Sequence, residues 1–182
     1  MWAALLHDIG KPVTTEKNDQ GKITSYGHDK AGKELAVEYL KTLTDDKKLL
    51  EEVGSLVEHH MKPILFYKTK DTIQDGAFRR LSTKVDLKEL ILLSFCDRLG
   101  RGEIDRNKEK KELLWFQSRC ENLKVLGQKP TPIITGKLLL QLGFSSGPKM
   151  GEIIKTAYDM QLEKDWNQEQ LTAYVLNKYK LS

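Results

Sequence analysis

Over most of the chain apolar residues return every three or four positions, the period of a helix with one buried face. The segment "HDKAGKELAVEYLKTL" aligns His28, Ala31, Leu35, Tyr39 and Leu43, and "DDKKLLEEVGSLVEHHMKP" aligns Leu49, Val53, Leu56, Val57 and His60 until Pro63 stops it. A shorter amphipathic piece follows in "DTIQDGAFRRLSTKV". Then comes "DLKELILLSFCDRLG", apolar enough for a central helix, with Leu90, Leu93 and Asp97 on one stripe. Residues 105–125 open with mixed charge, end in "LLWFQSRCENLKVL" and predict a long surface helix. The Pro- and Gly-containing "GQKPTP" is the clearest linker. Beyond it the pattern predicts two helices joined by a Gly/Ser/Pro turn, and a third in "NQEQLTAYVLNKYK". Residues 13–26 lack helical period, and their "DQGK" predicts a turn, with room for short strands. The expected class is all-α, a main bundle followed by a small helical tail.

Composition narrows the function classes. The 182 residues suffice for one sizeable core, and a net charge of +4 permits phosphate-bearing ligands or RNA without a basic arm. Cys96 and Cys120 form no spaced pair for a zinc ribbon or a disulfide framework, and are expected to behave as small apolar residues in a reducing compartment. No apolar run approaches the ~18 residues of a membrane span, and the start lacks the features of a secretory signal. A cytoplasmic protein with no membrane partner is expected.

Polar residues on apolar faces change the picture. The chain has four histidines, His7, His28, His59 and His60, all at a helix end or on a helix face. Asp97 follows the apolar "LKELILLSF", and the run "AALL" breaks off into His7-Asp8 before Gly10, Lys11 and Pro12. Taken singly, each histidine reads as a satisfied core residue, and Asp97 as a partner of Arg98. Taken together they suit one divalent metal centre, since imidazole and carboxylate ligands serve Zn, Mn, Fe, Ni or Mg. His7 and Asp8 also fall in the last turn of a helix, where the dipole favours a cation. Lys11 projects from that helix exit toward an anionic substrate.

His7-Asp8, then the histidine of "YGHDKAG", the pair in "VEHHMKP" and Asp97 in "FCDRLGR" resemble the HD-domain superfamily of metal-dependent phosphohydrolases. "ALLHDIGKP", "GHDKAG" and "HHM", with the tail "TGKLLLQLGFSSGPKMGEIIKTAYDMQLEKD", are similar to the HD region and C-terminal segment of bacterial tRNA nucleotidyltransferases. The resemblance implies an HD helical bundle over residues 1–126 and a helical appendage over 127–182. It implies one or two divalent metals, with Asp8 bridging, His7 and Asp97 on the first, and His28, His59 and His60 on the second. Adjacent histidines on a regular helix diverge by about 100°, so both serve only if the helix ends there; otherwise His60, on the apolar stripe, is preferred and His59 stands behind it. The family's first histidine belongs on an earlier helix, whereas six residues precede His7. The expectation is either an excised piece or a metal short of one ligand.

The implied activity is hydrolysis of nucleotide or RNA-end phosphomonoesters or phosphodiesters, including 2′,3′-cyclic phosphates, by a metal-activated water. Asp8 and Lys11 are the catalytic candidates, and Lys11, Arg98 and Arg101 the phosphate contacts. No nucleotidyltransferase head with paired aspartates is found, so nucleotide polymerisation is not expected. One alternative is a non-catalytic RNA-contacting body, touching tRNA through "RRLSTK", "LSTKVDLK", Lys137 and Lys149. Another is a helical bundle used for assembly, including pairing with a second copy.

Overall fold

The computed structural model describes residues 1–100 and 105–179; Arg101, a candidate phosphate contact, lies outside them. The chain is all-α with one small hairpin: α1 (Trp2–Leu6), α2 (Lys11–Thr14), β1 (Glu16–Lys17), β2 (Ile23–Thr24), α3 (His28–Lys41), α4 (Lys47–His59), α5 (Lys62–Lys68), α6 (Asp75–Ser82), α7 (Leu87–Leu99), α8 (Arg106–Asn122), α9 (Gly136–Gln141), α10 (Pro148–Lys164) and α11 (Gln168–Tyr179). The unpatterned stretch after α2 is the antiparallel β1–β2 pair, registered Glu16 to Thr24 and Lys17 to Ile23. Among the described residues no helix is long and apolar enough to cross a membrane.

Two compact units emerge, one of residues 1–73 and 84–128, the other of residues 74–83 and 129–182. In the first, α3 and α4 pack along one another, α2 lies against α3, and α1 and α7 pack against α4. Its core gathers Ala3, Leu6, Ala36, Leu40, Leu50, Val53, Val57 and Leu93. Burying a Leu or Val side chain contributes about 1.5–3 kcal/mol, so this cluster holds in place the helix ends that carry the polar residues. Asp46 caps α4 by accepting from the Lys48 and Leu49 amides at 3.0 and 3.1 Å. Asp46→Ala is expected to lower stability by about 1 kcal/mol, read as a shift of the denaturation midpoint.

The buried stripe of α3 is Gly32, Ala36 and Leu40, whereas Tyr39 and Leu43 of the expected face are exposed. Small residues let α4 come close, and that contact outweighs the size of the neighbouring side chains. Helix α8 is not simply a surface helix: Leu113, Phe116 and Cys120 are fully buried along one side, with the Phe116 ring 5.9 Å from Phe66. Burial pushes the Cys120 thiol up to about 12, so it behaves as an apolar group. Cys96 is exposed, against the expectation for it.

The second unit packs α6, α9, α10 and α11 around Ile134, Leu139, Phe144, Ile153, Ala157, Leu171 and Val175. Arg79 of α6 is buried and donates through Nε to the Leu162 carbonyl at 3.0 Å, near the end of α10. Gln161 holds the segment before α9, accepting from the Ile133 amide at 3.0 Å and donating to the Thr131 carbonyl at 2.8 Å.

Candidate metal centre

Three helix ends of the first unit bring their polar residues together. His7 caps the C-terminus of α1, His28 opens α3 behind Gly27, and His60 caps the C-terminus of α4. Gly27 takes φ +79, a backbone that side chains disfavour. That turn sets the start of α3 beside the His7-Asp8 corner. Asp97 comes from the last turns of α7, on the stripe of buried Leu90 and Leu93.

The three imidazoles are oriented in the same way. Nδ1–H of His7 donates to the Ala4 carbonyl at 2.8 Å, that of His28 to Ser25 at 2.7 Å, and that of His60 to Val57 at 2.7 Å. Each backbone bond fixes the tautomer and turns the Nε2 lone pair outward, as at metal-ligating histidines. The Nε2 atoms of His28 and His60 lie 3.3 Å apart, and Asp8 Oδ1 is 3.6 Å from His28 Nε2. With both ring protons spent on the backbone, these are acceptors facing acceptors. Ligand atoms of Asp8, His28 and His60 all fall within 4.8 Å of one another. Such a set repels itself unless something positive lies among it, so the residues present fit a divalent cation.

Asp8 stands between two groups. Its Oδ2 is 3.3 Å from His7 Nε2 and 2.5 Å from Lys11 Nζ, while Oδ1 faces His28. On the far side His7 Nε2 is 3.4 Å from Asp97 Oδ1. The hydrogen bond to Asp97 leads in lifting the His7 imidazole above its ordinary range, against the penalty of burial. Burial holds His60 below that range, and hence neutral.

Two candidates stand apart. His59 is buried on α4 but is not in the His28–His60–Asp8 set. The helix runs through His59 and ends only after it, so the two rings diverge by about 100°. Pro63 sits at the start of α5 rather than breaking α4 in time to align both. Arg98 is also turned away: its guanidinium pairs with Glu109 and approaches Glu112 at 3.8 Å, with 14% of its side chain exposed. A group spent on two carboxylates of α8 is not set out for phosphate. Lys11 remains, 44% exposed.

Two positions were not read as part of the site. Ser94 donates to the Leu90 carbonyl at 2.9 Å and lies 3.3 Å from the His60 carbonyl, tying α7 to the end of α4. Its place on the Leu90–Asp97 stripe was the available signal. Gly10 lies where a Cβ would come 2.2 Å from the His28 carbonyl oxygen, so glycine alone lets this corner meet α3.

The sequence pattern of the HD domain family matches residues 1–102. An A-adding tRNA nucleotidyltransferase of Deinococcus radiodurans is 30% identical over 162 residues, covering 85% of this chain and 35% of the relative. A CC-adding tRNA nucleotidyltransferase of Thermus thermophilus is 29% identical over 177 residues, covering 96% of this chain and 38% of the relative. The chain thus spans little more than a third of the length of these relatives. No solved structure gives a significant match.

Proposed function

Since the chain belongs to the HD domain family, a family of metal-dependent hydrolases, we propose that it is a phosphohydrolase acting on nucleotide or RNA-end phosphate esters, 2′,3′-cyclic phosphates among them. The observation that carries this is the meeting of lone pairs from His28 and His60 with the Asp8 carboxylate. His28, His60 and Asp8 would hold a cation on one side, and His7, Asp97 and Asp8 on the other, with Asp8 common to both. When bound, a divalent metal supplies a Lewis acid that makes water nucleophilic at neutral pH and steadies charge on phosphate oxygens.

The chain's own groups then have distinct tasks. The Ala4, Ser25 and Val57 carbonyls keep the three rings aimed, and Asp97 brings a second carboxylate to within 3.4 Å of His7 Nε2. Lys11, now on Asp8, is half exposed, and an ammonium so placed would donate strongly to a phosphate. The names of the relatives favour nucleotide or tRNA substrates over other phosphate esters.

The test is elemental analysis of protein purified without chelator, alongside turnover of a nucleoside 2′,3′-cyclic phosphate. Bound Mn, Fe, Ni or Zn, with hydrolysis that chelation abolishes and metal restores, is expected. Protein that neither takes up a metal nor turns over overturns the reading. The relatives' names also favour a second reading, a non-catalytic RNA-contacting body. It predicts tRNA binding that weakens steeply with salt and no hydrolysis.

A further inference from the structure

Helices α3 and α4 run antiparallel, in a register set by three contacts: Gly32 against Val57, Lys33 on Glu58, and Val37 against Gly54. A Cβ at Gly54 would come 2.9 Å from Val37 Cγ2. The missing side chain therefore lets the helices close there and puts nothing into the space above. That space is a groove of about 310 Å³ lined by residues of both helices, within the roughly 300–1,000 Å³ of small-ligand sites. Carried on toward the connecting turn, the register sets Lys41 near Leu50, within a turn of Lys47.

The lining sorts by chemistry. Val37, Leu50 and Gly54 make an apolar floor. Along it stand polar groups at helical spacing: Lys47, Glu51 and Ser55 every four residues on α4, Lys33 and Lys41 on α3. The cations differ, since Lys33 Nζ is held by Glu58 Oε2 at 2.6 Å. Among the described residues the side chains of Lys41, Lys47, Glu51 and Ser55 enter no hydrogen bond or ion pair. Uncommitted positive charge thus gathers near the connecting turn. An uncommitted carboxylate follows one turn along α4, and a hydroxyl one turn beyond that. At 1.5 Å per residue the run from Lys47 to Ser55 covers about 12 Å.

We propose that this groove binds a free nucleoside 5′-monophosphate, apart from the metal centre, whose His28 and His60 sit at the other end of both helices. Lys41 and Lys47 take the phosphate. Glu51 accepts from the ribose hydroxyls, and the base lies on Val37 and Gly54 with Ser55 at its edge. Charge, hydroxyls and a flat apolar face in that order are the make-up of a nucleotide. An inorganic anion would use only the lysines, and an acyl chain would press methylenes on the Glu51 carboxylate without satisfying it. A nucleic-acid strand needs further cations where its backbone leaves the groove, and Lys33 at that end is already held by Glu58.

The test titrates the full chain, in excess EDTA, with AMP, adenosine, inorganic phosphate and a short oligouridylate. Calorimetry reads affinity, and NMR of the Gly54 and Ser55 backbone amides reads location. AMP is expected to bind more tightly than adenosine or phosphate and to shift both amides. Lys41→Gln with Lys47→Gln, two exposed positions, weakens AMP on the order of tenfold and leaves thermal midpoint and metal uptake as in wild type. Phosphate binding as tightly as AMP, amides that ignore saturating AMP, or undiminished affinity in the double variant overturns the site. Oligouridylate displacing AMP from these amides assigns the groove to RNA and overturns it as well. Metal uptake and turnover of the cyclic phosphate test the phosphohydrolase reading separately, and their failure leaves these measurements unmoved.

Discussion

Asp8→Ala protein purified without chelator retains metal at least ~100-fold more weakly than wild type and loses chelator-sensitive hydrolysis. Removing a residue that only supports a metal ligand already costs 10–100-fold in metal affinity or activity, and Asp8 stands closer than that. Its Oδ1 is 3.6 Å from His28 Nε2 and its Oδ2 is 3.3 Å from His7 Nε2. Without it, the His28 and His60 lone pairs still face each other at 3.3 Å but lose the carboxylate that makes their side of the site attractive to a cation. The fold should tolerate the change. The Asp8 side chain is 35% exposed and its close ion pair is with the half-exposed Lys11, a kind of pair worth ~0–1 kcal/mol. The thermal midpoint should therefore move by no more than roughly 4 °C. Elemental analysis and calorimetric titration with Mn or Ni check the outcome. Undiminished metal affinity in a folded Asp8→Ala variant would remove Asp8 from the ligand set and with it the bridge between the two groups.

How far the site can be read from the chain depends on which distances helix geometry fixes. His7, His28, His60 and Asp97 each interrupt or extend an apolar stripe, so their inward aim follows from the 3.6-residue period. The gathering of those four with Asp8 was readable on that ground. His59 was readable only as a condition, both histidines if the helix ended there and His60 otherwise, and the run of α4 through His59 selects the second branch. Arg98 was not readable, since its partners Glu109 and Glu112 arrive on another helix. The α3 stripe fails for a different reason: counting large apolar residues points to Tyr39 and Leu43, whereas close helix approach selects Gly32 and Ala36. The all-α class itself needs only the period, and the turn and short strands within 13–26 show as its absence, although Val13 and Thr14 belong to α2.

Gly10 ties the fold to the site. Its backbone is helical, φ −78 and ψ −13, a conformation in which alanine normally gains about 0.5–1 kcal/mol over glycine. Space decides otherwise. A Cβ at Gly10 would lie 2.2 Å from the His28 carbonyl oxygen and 2.6 Å from the Gly32 nitrogen. Both are backbone atoms of the first turns of α3, so no flexible side chain can yield, and the corner carrying Asp8 must withdraw from the helix carrying His28. Overpacking of this kind costs up to ~3 kcal/mol or more, which outweighs the helix gain. Gly10→Ala should lower the thermal midpoint by roughly 6–12 °C and weaken metal retention, because the Asp8–His28 approach opens with it. Gly151→Ala is the control: it lies within α10, and a Cβ there meets nothing within 4 Å. That variant should be neutral or more stable by at most ~1 kcal/mol. If the two alanine variants melt together, the direct contact between the His7-Asp8 corner and α3 is not what positions the site.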